Sequence, residues 1–150
     1  IVLQAKGQSQ AALEEYMKAL SINEKVFGKD HSTTAYSYGK VATILAQGKD
    51  YESALFYFRQ AVSIQESSLG THQETGMLHM NIGNVLLEQG DDSEEAFIEL
   101  KKAHDIFKVV LGPDHPHTQT ARYCGRVAAQ RRIENDGGLL SATVGTILTD

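Results

Sequence analysis

Two short runs of this sequence contain residue types that are used in catalysis or metal binding. Asp30, His31 and Ser32 have the types of a hydrolytic triad, but neighbours in one turn cannot direct their side chains at one another in a relay. His115 and His117 are close enough to share a metal, yet no cysteine lies near them in sequence to complete a tetrahedral site. We therefore expect a connecting turn at residues 30–32 and solvated turn histidines at 115 and 117.

The remaining candidates for chemistry are weaker still. The single cysteine, Cys124, lies on the packing side of its predicted helix beside Val127 and Ala128, which favours a buried small residue over a reactive thiol. The glycine pair at 137 and 138 stands alone and does not match a phosphate-binding loop. The sequence therefore predicts no enzyme activity, no metal and no cofactor.

Composition places the chain among ordinary globular proteins. It has 150 residues, of which 41% are hydrophobic and 22% charged. No apolar run approaches the roughly 20 residues that a membrane span needs, and residues 1–7 lack the pattern of a signal peptide. One cysteine cannot form an internal disulfide, which fits a reducing compartment. We expect no membrane insertion and a cytoplasmic location, with cytoskeletal and ciliary settings included.

Charge is spread unevenly along the chain, whose net charge is −5. Residues 88–105 hold seven acids and two lysines, whereas residues 119–133 hold four arginines and no acid. These segments are either two solvated faces or, at the basic end, a site for an acidic partner. Nucleic acid is not expected, because the arginines lack interleaved aromatic residues and the chain is acidic overall.

A pattern of apolar and small residues recurs every 42 residues. Within the copy at residues 51–70, the spacing of positions 54, 58, 61, 62, 65 and 69, which are apolar except for Gln65, predicts a helix with one packing face. The glycine that closes each copy fits a helix stop. Seven sets of positions coincide in this frame: Ala12, Ala54 and Ala96; Leu13, Leu55 and Phe97; Tyr16, Phe58 and Leu100; Ala19, Ala61 and Ala103; Ile22, Ile64 and Ile106; Phe27, Leu69 and Leu111; Gly28, Gly70 and Gly112.

The same reasoning predicts seven helices, at residues 1–6, 9–27, 33–47, 51–69, 74–89, 93–111 and 118–134. Residues 1–6 are too short for a whole helix, so we expect the chain to open inside a helix that begins outside this sequence. Ser32 or Thr33 is expected to cap the third helix. On the helix at 9–27, the inner side is expected to carry Leu13, Tyr16, Leu20 and Ile22.

The last predicted helix echoes an earlier one. Residues 120–128 (TARYCGRVA) resemble residues 34–42 (TAYSYGKVA), which pairs positions 86 residues apart. No further helix of the repeating type follows. Residues 135–150 are expected to form an atypical tail, either loose or laid as an apolar segment across the open end of the stack.

Paired helices and the Ile82-Gly83 pair resemble the tetratricopeptide repeat, whose usual period is about 34 residues. The longer period and the segment VLGPDHP at 110–116 are similar to the kinesin light chain class. The resemblance implies an all-α fold, a right-handed superhelical stack of antiparallel helix pairs over residues 1–134. It divides that array into a partial first repeat (1–28), two full repeats (29–70 and 71–112) and a half repeat (113–134).

In that family the first helix of each pair lines a concave groove that holds peptides. Carried over by position, the implied groove residues are Lys40, Thr43, Gln47, Asn81, Asn84, Glu88 and Arg126. A companion asparagine of the family is replaced by Gly39, Met80 and Gly125, so the ligand preference of kinesin light chain does not transfer.

Two functions follow from this reading. The first is a scaffold that binds a peptide segment of a protein partner, expected to carry acidic residues. The second is a constitutive structural part of a large assembly, held by its convex faces and open ends. In both, the chain is expected to belong to a longer chain or a multi-protein complex.

Overall fold

The computed structural model describes residues 2–68, 71–90 and 93–135. These residues form six α-helices and no strand: α1 Val2–Phe27, α2 Ser32–Gln47, α3 Tyr51–Ser68, α4 Gln73–Gln89, α5 Ser93–Val110 and α6 Pro116–Asn135. Each helix packs on the next one in the chain, so the helix pairs stack in sequence order. The expected all-α class is confirmed, while the division into repeats at residues 28, 70, 112 and 134 stays a prediction. The expected tail lies outside the described residues, apart from Asn135, which ends α6.

We call α2, α4 and α6 the first helices and α1, α3 and α5 the second helices. α1 corrects the expectation of separate helices at 1–6 and 9–27, because it runs unbroken from Val2 to Phe27. Gly7 is the only helix-weakening residue between those ranges. One glycine inside a helix costs about 1 kcal/mol, whereas a hairpin turn would give up several backbone hydrogen bonds. The uninterrupted helix is therefore the more stable of the two arrangements.

The inner side expected for α1 is only partly correct. Leu20 is buried, but Tyr16 is 38% and Ile22 59% exposed. Their counterparts Phe58 and Ile64 are buried in α3. Among the described elements, α3 packs extensively on both α2 and α4, whereas α1 packs extensively on α2. The 42-residue frame fixes which side chains are apolar, and the neighbouring helices decide which of them are buried.

Histidines, rather than the expected Ser32 or Thr33, cap the first helices. His31 precedes α2, and its Nδ1 accepts a hydrogen bond from the backbone N–H of Thr33 at 3.1 Å. His72 precedes α4 and accepts from the N–H of Glu74 at 3.4 Å in the same way. The cap satisfies a backbone donor that the first turn of a helix otherwise leaves unpaired. The turn role of these histidines is therefore structural.

The third connector uses the same device. His115 Nδ1 accepts from the N–H of His117 at 3.2 Å. Both side chains are half-buried, and the His117 ring lies 5.5 Å from the ring of Phe107. The expectation of solvated turn histidines at 115 and 117 is therefore wrong. Capping and ring packing hold this pair in place.

A buried threonine closes each of two connectors. Thr34 Oγ1 donates to the carbonyl of Gly28 at 2.7 Å, and Thr118 Oγ1 donates to the carbonyl of Gly112 at 2.8 Å. Gly28 and Gly112 both have left-handed backbones, with φ of +89° and +93°, as expected for helix stops. Gly70 lies outside the described residues.

The core is closely packed where first and second helices cross. Ala54 and Ala96 are fully buried, as the repeat frame predicts. At Gly83, an added Cβ would lie 2.5 Å from Leu100 Cγ. α4 and α5 therefore approach closely because position 83 has no side chain. No helix in the described part of the chain is long and apolar enough to cross a membrane.

Candidate functional site

Two adjoining clefts lie between the first helices α2 and α4. We call the larger one, about 250 Å³, the first cleft and the smaller one, about 190 Å³, the second cleft. Thr43 and Asn81 line both, so the two form one continuous surface. Of the seven residues expected in a groove, six line these clefts: Lys40, Thr43, Gln47, Asn81, Asn84 and Glu88.

The first cleft is narrow and has apolar walls. Met77 and Leu78 of α4 face Gly39 of α2 across it. An added Cβ at Gly39 would lie 3.3 Å from Leu78 Cδ2, so this glycine allows the two helices to approach. Lys40 Nζ lies 4.9 Å from the centre of the Tyr36 ring, a cation–π contact that holds the ammonium group beside the cleft. The arrangement can hold an apolar side chain next to a positive charge.

The second cleft has a more polar lining. Gln47, Asn84 and Glu88 line it together with the shared Thr43 and Asn81. Glu88 Oε2 accepts a hydrogen bond from the Tyr51 hydroxyl at 3.2 Å. The pKa of Tyr51 is raised, mainly by partial burial and to a smaller extent by this bond to the carboxylate. Tyr51 therefore stays a neutral donor that orients the carboxylate of Glu88.

Arg126, the seventh expected residue, is exposed on α6 and does not line these clefts. The connector contacts show why. Thr34 and Thr118 make the same hydrogen bond to Gly28 and Gly112, so α2 and α6 correspond at a spacing of 84 residues. The sequence pairing used a spacing of 86 and is wrong by two residues. In the corrected register, Cys124 takes the position of Lys40.

His79 is the centre of a buried polar cluster that sequence reasoning missed. Its side chain is 2% exposed, with Nδ1 2.6 Å from Glu99 Oε2 and Nε2 3.2 Å from Glu66 Oε1. Glu99 Oε1 also accepts from Lys102 Nζ at 2.8 Å. The cluster therefore joins the second helices α3 and α5 through the first helix α4 between them.

Glu99 is charged in this cluster. Burial favours its neutral form, but hydrogen bonds from His79 and Lys102 outweigh that effect and lower the pKa of Glu99. Tyr38 lies in the equivalent place one repeat earlier, where its hydroxyl donates to Glu24 Oε1 at 2.5 Å. Burial, together with this bond, raises the pKa of Tyr38 to about 12.

The other candidates for chemistry have structural roles. Cys124 is half-buried, and burial raises the pKa of its thiol, which suppresses the reactive thiolate. Among the residues that the structure describes, no three histidine, cysteine, aspartate or glutamate side chains are grouped so that they could hold a metal ion. The clefts between the first helices are thus the candidate site in the described part of the chain.

A stack of antiparallel helix pairs with clefts between its first helices defines the class of helical repeat scaffolds. Two family models, both described as tetratricopeptide repeat, match residues 1–67 and 80–117. The chain belongs to the tetratricopeptide repeat family. No curated protein sequence matches the chain.

Three solved structures have a similar fold. Two crystal structures described as nearly identical TPR-like repeats of a Podosopora anserina kinesin light chain each have a TM-score of 0.78 and 20% sequence identity, covering 90% of this chain and 64% of theirs. BtubC (BKLC) from P. vanneervenii has a TM-score of 0.61 and 18% identity, covering 87% of this chain and 59% of its own. The chain therefore spans less than two thirds of the length of these structures. The likeness supports the kinesin light chain-like form of the repeat, and at these identities it concerns the fold.

Proposed function

We propose that this chain is a protein-interaction scaffold that binds a peptide segment of a partner along the two clefts between α2 and α4. The observation that carries the proposal is their continuity. Residues from both helices share one surface, and it contains polar groups spaced along an otherwise apolar lining. Grooves of this kind bind extended or helical segments, with pockets for individual side chains.

The polar lining suits a peptide with acidic residues. Asn81 and Asn84 each carry an amide that both donates and accepts, so they can bond a peptide backbone in either direction. Lys40, held beside the first cleft by Tyr36, can pair with a carboxylate. Gln47 and Glu88 extend the polar lining at the far end of the second cleft. Arg126 is not part of this proposal, because it does not line the clefts.

The experiment is a peptide-display screen against the folded chain, followed by affinity measurements on a selected peptide. Lys40→Ala and Asn81→Ala are each expected to weaken binding about tenfold or more, since each removes a polar contact made in a partly desolvated cleft. Binding through Lys40 should also weaken as salt is raised. Lys101→Ala is the matched control, because Lys101 is exposed on α5 and pairs with Asp105.

The outcomes separate clearly. Weaker binding in the two cleft variants with an unchanged control supports the proposal. Equal losses in Lys101→Ala and Lys40→Ala, or no loss in either cleft variant, would place the peptide elsewhere and reject it.

A second candidate function, a structural part of a large assembly, is favoured by a different cleft. This cleft of about 430 Å³ lies on the other side of the stack, between the second helices α1 and α3. Met17 and Phe56 line it and are 40% and 58% exposed. If this surface is permanently covered, Phe56→Ala should remove the chain from its native assembly, whereas Lys40→Ala should not. Co-purification of tagged variants from cells tests this.

We further propose that the chain acts by binding rather than by catalysis, within a longer protein or multi-protein complex, in the cytoplasm. The histidines of its turns, His31, His72 and His115, cap helices. The single cysteine is a free, half-buried thiol, in keeping with a reducing setting. The absence of catalysis is checked by incubating the chain with a bound peptide, whose mass should stay unchanged.

A further inference from the structure

Gln65 of α3 contributes an unusual group to the first cleft. Its side chain is 3% exposed and lines the cleft. Nε2 donates to Glu74 Oε2 over a long distance of 3.5 Å, and Oε1 has no hydrogen-bond partner among the described residues. A buried acceptor without a partner is uncommon in folded proteins and calls for an explanation.

Comparison of the repeats shows that the surroundings of this amide differ from one repeat to the next. Asn23 stands 42 residues before Gln65 in the repeat frame, and its Nδ2 donates to Ser37 Oγ at 2.7 Å. The capping histidines His31 and His72 set the first helices 41 residues apart, so the counterpart of Ser37 is Leu78. Leu78, which lines the first cleft together with Gln65, therefore stands at the position where a hydroxyl faces Asn23.

In the third repeat this position has no polar side chain. Phe107 stands 42 residues after Gln65, is fully buried and packs its ring near that of His117. The residue at this position is thus an amide with a hydroxyl partner in one repeat and an apolar ring in another. In the middle repeat alone it combines a buried amide with a cleft.

We infer that Gln65 determines side-chain specificity in the first cleft, where its Oε1 accepts a hydrogen bond from an uncharged N–H or O–H group at the end of a partner side chain. The inference rests on the proposed function and names the chemistry of one subsite within it. The cleft volume of about 250 Å³ is below the range for small-molecule pockets and suits a single side chain. The apolar walls from Met77 and Leu78 require an apolar stem.

The charge of the donor follows from its neighbours. Lys40 and Glu74 line the same cleft with opposite charges, so the lining has no net charge that would favour an ionised donor. Glu74 already accepts from Gln65 Nε2, so it fixes which end of the amide is engaged. Because that bond is long and therefore weak, turning the amide oxygen toward an incoming donor would give up little hydrogen-bond energy. An uncharged amide or hydroxyl meets all of these conditions.

Selectivity for a donor should be strong. Gln65 Oε1 is already removed from water in the folded chain, so a donor gains a hydrogen bond without having to desolvate the acceptor. A side chain of the same shape without a donor leaves the acceptor unpaired in the complex. We expect about a tenfold or larger affinity difference between the two.

The test uses the peptide selected by the display screen and the intact chain. Peptides are made in pairs that differ at one position by a donor and its near-isostere, glutamine against methionine or threonine against valine. Each pair is measured against the wild type, Gln65→Leu and Asn23→Leu by calorimetry. Circular dichroism and urea unfolding establish that each variant is folded.

We expect one peptide position at which the donor binds about tenfold or more tightly to the wild type. That ratio should fall toward one in Gln65→Leu and persist in Asn23→Leu, the matched change outside the cleft. A peptide that binds with no donor preference at any position, or a preference undiminished in Gln65→Leu, overturns the inference while leaving the proposed function standing. A folded chain that selects no peptide overturns both.

Discussion

His79 and Tyr38 occupy the same position in two successive repeats, and each bridges the second helix before it to the second helix after it. Tyr38 donates to Glu24 of α1 and stacks on Tyr57 of α3, with ring centres 6.0 Å apart. His79 contacts Glu66 of α3 and Glu99 of α5. The partners of the two residues are themselves 42 residues apart. One position of the repeat thus couples neighbouring units, by a phenol and ring stacking in one case and by ionic groups in the other.

Removing the imidazole should loosen this coupling. His79→Leu keeps the bulk of the side chain but leaves the buried Glu99 carboxylate with Lys102 alone. Loss of hydrogen bonds to a charged group is expected to lower the free energy of unfolding by roughly 1.5–3 kcal/mol. Urea unfolding followed by circular dichroism measures this. Lys18→Ala removes an exposed ion pair with Glu15 and should leave the midpoint unchanged. A midpoint in His79→Leu equal to wild type would show that the cluster does not stabilise the fold.

Glu99 should make stability depend on acid. Its folded pKa lies below the ordinary value of 4.5, so the unfolded chain binds a proton more readily than the folded one. The resulting stabilisation is complete above about pH 4.5 and is lost as the pH falls through the lowered pKa. Wild type should therefore exceed Glu99→Gln in stability at pH 7, and the gap should narrow below pH 4.5. Urea midpoints between pH 7 and pH 3 test this, and a gap independent of pH would contradict it.

Two glycines should respond in opposite directions to the same substitution. At Gly83 the new Cβ would lie 2.5 Å from Leu100 Cγ and 3.3 Å from the Ala96 carbonyl oxygen. Gly83→Ala is expected to destabilise the fold by roughly 1–3 kcal/mol through overpacking. At Gly125 the nearest atom, Leu100 Cβ, is 3.8 Å away, so Gly125→Ala should gain roughly 0.5–1 kcal/mol of helix stability. Thermal unfolding of both variants decides the matter, and a stabilised Gly83→Ala would show that α4 and α5 can separate without cost.

The helices and their stacking order could be predicted from sequence because apolar periodicity is a local signal that repeats. Ala54 and Ala96 recur in the frame and are buried at crossings. The same frame failed for Tyr16 and Ile22, because burial depends on which helices are present on either side. It also failed to show that α1 is one helix, since a single glycine is an ambiguous break.

The clefts were predicted in part, through the family resemblance and the position of residues on the first helices. Arg126 was misplaced because the sequence allows either Thr118 or Thr120 to be aligned with Thr34. Only the hydrogen bond to the Gly112 carbonyl identifies Thr118 as the counterpart of Thr34. The clusters at His79 and Gln65 involve residues from different helices that share no local pattern. The 41-residue spacing between His31 and His72 was the signal that could have aligned Tyr38 with His79.

The turn between α2 and α3 places its glycine one residue too early. Lys49 has a left-handed backbone with φ of +64°, while the preceding Gly48 has an ordinary φ of −77°. Lys49 N–H donates to the Ala46 carbonyl and Asp50 N–H to the Leu45 carbonyl, both at 2.9 Å, so the hydrogen bonds of the turn require this conformation. A side chain in that region costs roughly 1–2 kcal/mol.

Lys49→Gly should therefore stabilise the fold, because it removes that cost. Glycine also raises the conformational entropy of the unfolded chain, which offsets part of this stabilisation. We expect a net increase of roughly 0.5–1 kcal/mol in the free energy of unfolding. Gly48→Ala supplies the complementary change, since its Cβ would make only a close but ordinary contact, 3.4 Å from the Leu45 carbonyl oxygen. The double variant, which moves the glycine from 48 to 49, should be the most stable of the three. Urea unfolding ranks them, and a Lys49→Gly variant no more stable than wild type would show that the left-handed backbone at 49 carries no strain.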